Sequence, residues 1–203
     1  MKRTLLLLAV IAALSHSTFA QYKEPSKAQM VTSSENEPQT FYLALCSGID
    51  NYTGLLGLGG QIPIQDKFVL RGGVGFGAWG GKLSAGVKYE SLIEDGWGFG
   101  AGYSHCTGIQ GMVLTFDDGT GSQREVEMDL LPVGSINLTV NRNWVFKGGD
   151  KLFYLEAGYA VGTGGSDYYR VNDGSVLTAD EELIMQIIRP GGLILAAGLL
   201  IGF

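Results

Sequence analysis

The sequence is poor in several things that organise other proteins. It has 2 cysteines in 203 residues, Cys46 and Cys106, and their wide spacing rules out a metal cluster built on them. Prolines number only 5 and there is no three-residue glycine period, so a collagen-like chain is excluded. Basic residues are scarce, 14 against 20 acidic ones, and the formal net charge of −6 provides no positive field to meet nucleic-acid phosphates. After residue 20 no apolar run reaches 18 residues, so the sequence holds no helix able to span a bilayer.

Apolar residues make up 45% of the chain, too many for a disordered one, and 32 residues are glycine, roughly twice the ordinary share. Lys2 and Arg3 precede ten apolar residues, Leu5 to Leu14, and a polar stretch then leads to Thr18-Phe19-Ala20. A charged start, a short apolar run and small residues at −3 and −1 predict a signal peptide over 1–20, cut between Ala20 and Gln21. Residues 21–39 are polar without apolar periodicity and read as a flexible periplasmic linker.

From Thr40 onward the period is two, which is the signature of a strand with two unlike faces. Phe68, Leu70, Val74 and Phe76 share one parity, against Val69, Arg71, Gly73 and Gly75. Trp97, Phe99, Ala101 and Tyr103 oppose Gly98, Gly100, Gly102 and Ser104. Similar segments near residues 41–45, 56–64, 83–89, 136–140, 153–159 and 193–203 bring the number to eight, with ten left open. A soluble sandwich would line the second face with Lys, Glu and Thr, because that face meets water. Here it is mostly Gly, Ser and Ala, which suits the crowded lumen of a closed barrel with its apolar face outward.

The connections alternate in length. Those near residues 65–67, 90–96 and 147–151 are short, whereas 106–127 and 162–190 are long. At the short-turn end the outward parity carries Phe41, Phe68, Tyr89, Trp97, Trp144, Phe153 and Phe203, an aromatic girdle of the kind that forms at headgroup level. The expected architecture is all-β: an eight-stranded antiparallel transmembrane β-barrel over 40–203, with one short helix in the last long loop. That helix is read from Thr178-Ala179-Asp180-Glu181, a capping box, and from Arg189-Pro190, which stops it after Ile188. Its apolar stripe, Leu183, Ile184, Ile187 and Ile188, is expected to lie on the barrel rim, with docking of a partner as the alternative.

The chain resembles the small outer-membrane β-barrel proteins of Gram-negative bacteria. The signal peptide, the segments Leu70–Gly77 and Phe153–Tyr159, and the closing strand ending in Phe203 carry the resemblance. It implies residence in the outer membrane, contact with outer-membrane lipid, and a role for Phe203 as the assembly signal read by the outer-membrane insertion machinery. It does not name an extracellular ligand.

Candidate chemistry is sparse. Gly75-Phe76-Gly77-Ala78-Trp79-Gly80 matches a nucleotide-binding glycine pattern but leads into a strand rather than a helix. Ser104 and His105 are adjacent on a strand and so point to opposite faces. The Asp117-Asp118-Gly119 and Asn172-Asp173-Gly174 stretches are turn chemistry rather than full calcium loops. The two cysteines are expected to remain thiols. No catalytic, cofactor or metal residues are assigned. The expected function is a structural or surface-interaction scaffold that presents long extracellular loops. A lipid-modifying enzyme and a narrow channel are the alternatives.

One constellation stands out inside the predicted lumen. Arg71, Lys82, Lys88 and Glu156 have inward parity. A carboxylate buried there needs a cation. Arg71 and Glu156 each sit fourth on their strand from the girdle, so Glu156 is expected to pair with Arg71, with Lys88 as the next candidate.

Overall fold

The computed structural model describes residues 39–117, 123–165 and 167–203. The expected signal peptide, the cleavage point at Ala20 and Gln21, and all of the linker but Gln39 lie outside the described residues.

Eleven strands and one helix are found among the described residues: β1 (Tyr42–Ile49), β2 (Leu56–Gln65), β3 (Phe68–Gly77), β4 (Gly80–Tyr89), β5 (Gly96–Cys106), β6 (Ile109–Asp117), β7 (Gln123–Leu130), β8 (Val133–Val145), β9 (Lys151–Gly162), β10 (Tyr169–Val171), α1 (Ala179–Ile188) and β11 (Gly192–Gly202). Eight of them close a barrel in the order β1-β11-β9-β8-β5-β4-β3-β2, with every neighbouring pair antiparallel. These eight are the segments the alternation picks out. Pro63 sits next to the one bulge in the β2–β3 ladder, a place where proline is tolerated, and Pro132 lies between β7 and β8.

The barrel wall is apolar outside and polar or small inside. Across all eight strands the outward rows carry charge only at Arg142 and Lys151, both near the short-turn end, and an ionisable His105 at the far end. The inner rows hold Gln61, Arg71, Lys82, Lys88, Asn137, Asn141 and Glu156, all buried. They also hold bulky apolar groups that the alternation reads as a small-residue face. Tyr42, Val69, Leu152, Tyr154 and Leu200 cluster inside the short-turn end with Leu92, from the β4–β5 connection.

Beyond the expected helix, the two long connections carry strands, which corrects the reading of 106–127 and 162–190 as loops. The first contains β6 and β7, the second β10 and α1, and the three strands form a small sheet in the order β10-β7-β6. Val126, Met128 and Leu130 of β7 join Phe116, Tyr168, Leu177 and Met185 in a compact core. Trp79, Cys106 and Val133 of the barrel rim complete that core, so the cap is seated on the far mouth. Trp79 is buried at 2% exposure and donates from Nε1 to the Leu131 carbonyl at 2.9 Å. It therefore belongs to this core, whereas Tyr103 and Tyr159 face outward.

The helix begins as its capping box dictates. Glu181 N donates to Thr178 Oγ1 at 3.4 Å, and Thr178 N donates to Glu181 Oε2 at 2.7 Å. Its packed face is Glu181 and Met185 with partly buried Ile188. Leu183, Ile184 and Ile187 remain exposed, so three of the four residues of the expected rim-facing stripe point away from the core. Met185 takes the core position because the face is set by the cap beneath it rather than by the strongest run of aliphatics.

Candidate functional site

The lumen is the most elaborate polar site among the described residues. β3 and β9 sit on opposite sides of the barrel order, and their inward rows bring Arg71 Nη1 to within 2.7 Å of Glu156 Oε2. Arg71 Nη2 donates to Thr139 Oγ1 at 3.4 Å, and its guanidinium lies 4.8 Å from the centre of the Tyr52 ring. Lys88 Nζ stands 3.8 Å from the same Glu156 oxygen and 2.7 Å from Glu90 Oε1. Glu90 is in turn held by two amides from β8: Asn141 Nδ2 donates to its Oε2, and so does Asn143 Nδ2 at 3.0 Å. Three cations and three carboxylates are thus matched inside the wall, the third pair being Lys82 with Asp50 at 2.7 Å. Such matching is what a low-dielectric interior requires, since an unpaired buried charge is costly.

Sequence reasoning did not find Glu90 or Asp50. Both lie just beyond a strand end, at Tyr89 and Ile49, where alternation no longer fixes the side a residue faces.

The β1–β2 connection also fills the lumen instead of standing outside it. Asn51, Tyr52, Thr53 and Gly54 are all buried. Asn51 Oδ1 accepts from Thr53 N at 2.6 Å and from Thr53 Oγ1 at 2.9 Å, which curls the segment inward. Thr53 Oγ1 also lies 2.9 Å from Cys46 Sγ, and Ser84 Oγ donates to the Tyr52 carbonyl. Glycine on the facing wall makes this possible. A Cβ on Gly59 would meet the Tyr52 hydroxyl at 2.6 Å, and one on Gly73 would meet Thr53 Cγ2 at 2.6 Å. Plug and glycine rows were shaped together.

The remaining candidate residues are placed as follows. Phe41, Phe68, Tyr89, Trp97, Trp144 and Phe203 are exposed on the outside of the short-turn end, with Phe153 half-buried beside Trp144. Phe68 and Tyr89 meet edge to face at 5.3 Å, and Arg142 lies 5.8 Å from both the Trp97 and Trp144 rings. Phe203 N donates to the Phe41 carbonyl at 2.8 Å, joining the two ends of the barrel segment. Ser104 is buried and accepts from Asn137 Nδ2 at 2.5 Å, while His105 lies on the other face. Cys46 and Cys106 are both buried free thiols. Asp173 Oδ1 accepts from Ser175 N at 2.8 Å, a turn contact, whereas Asp118 and Gly119 lie outside the described residues. Among the described residues no cluster of three or more metal-ligating side chains occurs.

Searched against protein-family models, curated proteins and solved structures, the chain matches none of them, so the functional reading rests on this geometry.

Proposed function

We propose that this protein is an outer-membrane β-barrel, closed to through-flow, that displays the β6–β7–β10–α1 cap at the cell surface as an interaction module. One observation carries the reading: the outward rows of all eight strands are apolar, with charge confined to the ends of the barrel wall. Leu58, Val74, Leu83, Phe99, Leu138 and Leu155 are each about half exposed or more. Water would penalise such a surface at roughly 25 cal/mol per Å², whereas a hydrocarbon core would not. Arg142, held over two tryptophans beside the short turns, stands where a headgroup phosphate would receive it. Phe203 is exposed at that same end, which supports its reading as the assembly signal.

The inserted Asn51–Gly54 segment and the matched charges argue for a stopper rather than a channel, because buried side chains occupy the lumen and its three cations are each paired with a carboxylate. The buried, hydrogen-bonded Ser104 and its outward neighbour His105 favour a role without turnover.

Tryptophan quenching in reconstituted bilayers tests the proposal. Brominated phosphatidylcholine should quench Trp97 and Trp144, read in Trp79→Phe protein, and planar bilayers should show no steady conductance. Unquenched belt tryptophans would overturn the membrane reading, and a stable unitary conductance would overturn closure.

A further inference from the structure

Where α1 ends on the far rim, it leaves a cavity of about 380 Å³ against the barrel. This falls within the size range of small-molecule sites. Ile187 of α1, Leu193 of β11 and Ile49 of β1 form its apolar walls, and they are 72%, 60% and 60% exposed. Ile49 and Leu193 belong to the outward rows, so the cleft opens along the same apolar surface that the proposed bilayer covers. Its floor is charged. The Lys82 side chain is 2% exposed, and its Nζ bonds the Asp50 carbonyl at 3.2 Å and Asp50 Oδ1 at 2.7 Å. An ammonium has three donors, and these contacts engage two. Asp50 Oδ2 is occupied by Gly191 N at 2.8 Å, and Asp50 itself holds φ +49°, an uncommon conformation for a residue with a side chain. Arg189 also lines the cavity; its Nη2 reaches the carbonyls of Gly164 and Gly165 at 3.4 and 3.3 Å. Two cations and one carboxylate leave a single positive charge beside apolar walls.

We propose that this cleft binds a long-chain carboxylate drawn from the bilayer, an inference that rests on the membrane reading above. The tail lies against Ile49, Ile187 and Leu193, and the carboxylate takes the spare donor of Lys82 with Arg189 beside it. A singly charged head fits the balance, whereas a phosphate monoester, with nearly two charges, would be set against Asp50. The apolar walls supply affinity in proportion to the methylenes they bury, and the cations fix which end goes in.

The test uses the full chain in phosphatidylcholine nanodiscs with Trp97→Phe and Trp144→Phe, so that Trp79, which lines the cleft, is the one reporter. Added 9,10-dibromostearate should quench it saturably at one site per protein, and its methyl ester should need at least tenfold higher concentration. Lys82→Gln should weaken the site about tenfold. Because that change unpairs Asp50 and could prevent folding, Ile187→Gln and Arg189→Gln, on the exposed cap, provide the same test and should each weaken it several-fold. Quenching that rises linearly with probe, that the methyl ester reproduces, or that both cap variants leave unchanged would overturn the cleft. The belt tryptophans of the Trp79→Phe protein, quenched by brominated phosphatidylcholine, report separately on the membrane reading. A quenched belt with an unaffected Trp79 therefore sinks the cleft alone.

Discussion

In β9, Tyr154 and Glu156 are among the side chains that point inward, and Leu155 and Ala157 are among those that point outward. In β7 the order is reversed: Val126 and Met128 face the core, while Glu125 and Glu127 face away from it. Both strands alternate with the same period, yet β9 turns its apolar aliphatic row outward and β7 turns its own inward. On the membrane reading proposed above, the barrel wall sorts its residues for a hydrocarbon exterior, with the inner cations paired. The cap sorts its residues for water, with a small hydrophobic core beneath a polar face. The boundary between the two rules falls at the far rim, where Trp79, Cys106 and Val133 leave the barrel and enter the core of the cap.

That contrast can be broken most severely inside the barrel. Glu156→Ala leaves Arg71 with only Thr139 and the Tyr52 ring, and it should destabilise by about 3–5 kcal/mol in urea unfolding from vesicles. A variant that unfolds like the parent would show that the lumen is wet enough to solvate the guanidinium. Next comes the outer wall. Leu138→Arg places a charge on the middle of the outward face and should cost about 2–4 kcal/mol. Glu127→Leu on the exposed face of β7 should change stability little, and equal losses from the two would abolish the two-solvent picture. A smaller effect is expected at the helix cap. Thr178→Ala removes one side of the capping box and should cost about 1 kcal/mol. Hydrogen exchange should show the loss confined to α1 and its neighbours, with the barrel amides unchanged.

The smallest effect is one of pH, and it separates cap from barrel. Asp129 accepts from Asn172 Nδ2 at 3.0 Å and from Gly111 N at 2.8 Å, and these bonds hold its carboxyl below the usual range. A depressed value in the folded state means that the contribution is full above about pH 4, the ordinary range for an Asp. It is lost as pH falls through the folded value. Exchange protection of β6 and the 169–173 segment should therefore fall below about pH 4 in the parent. It should be flat there in Asp129→Asn.

How far the sequence could be read follows from the same contrast. The eight wall strands were legible because their outward rows hold almost nothing but apolar residues, so Phe99, Ala101 and Tyr103 stand clear of Gly98 and Gly100. The cap strand β7 alternates just as regularly, Glu125-Val126-Glu127-Met128-Asp129-Leu130, but its charges read as a loop when apolar-outward strands are being sought. Inward parity was sufficient to single out Arg71, Lys88 and Glu156, which the structure brings together. It could not supply Glu90 or Asp50, because register says nothing once a strand has ended. Tyr52 was hidden for a different reason. Nothing in Asn51-Tyr52-Thr53 announces insertion; the trace lies instead in Gly59 and Gly73, on the strands that had to make room.

The closure of the barrel has a consequence for the order of events during folding. β1 pairs with β11 along its whole length, from Tyr42 opposite Gly202 to Ile49 opposite Leu195, so the seam joins residues some 150 positions apart. Each of the other wall contacts can form as a hairpin or through a folded cap, but this one cannot form until the last strand has been delivered. Until then two bare edges persist, each ready to pair with another chain. Loop-closure entropy makes such a contact slower than the local hairpins, the cost rising with the logarithm of sequence separation. Deleting β11 should therefore yield a species that associates through β1 and β9, rather than a smaller barrel.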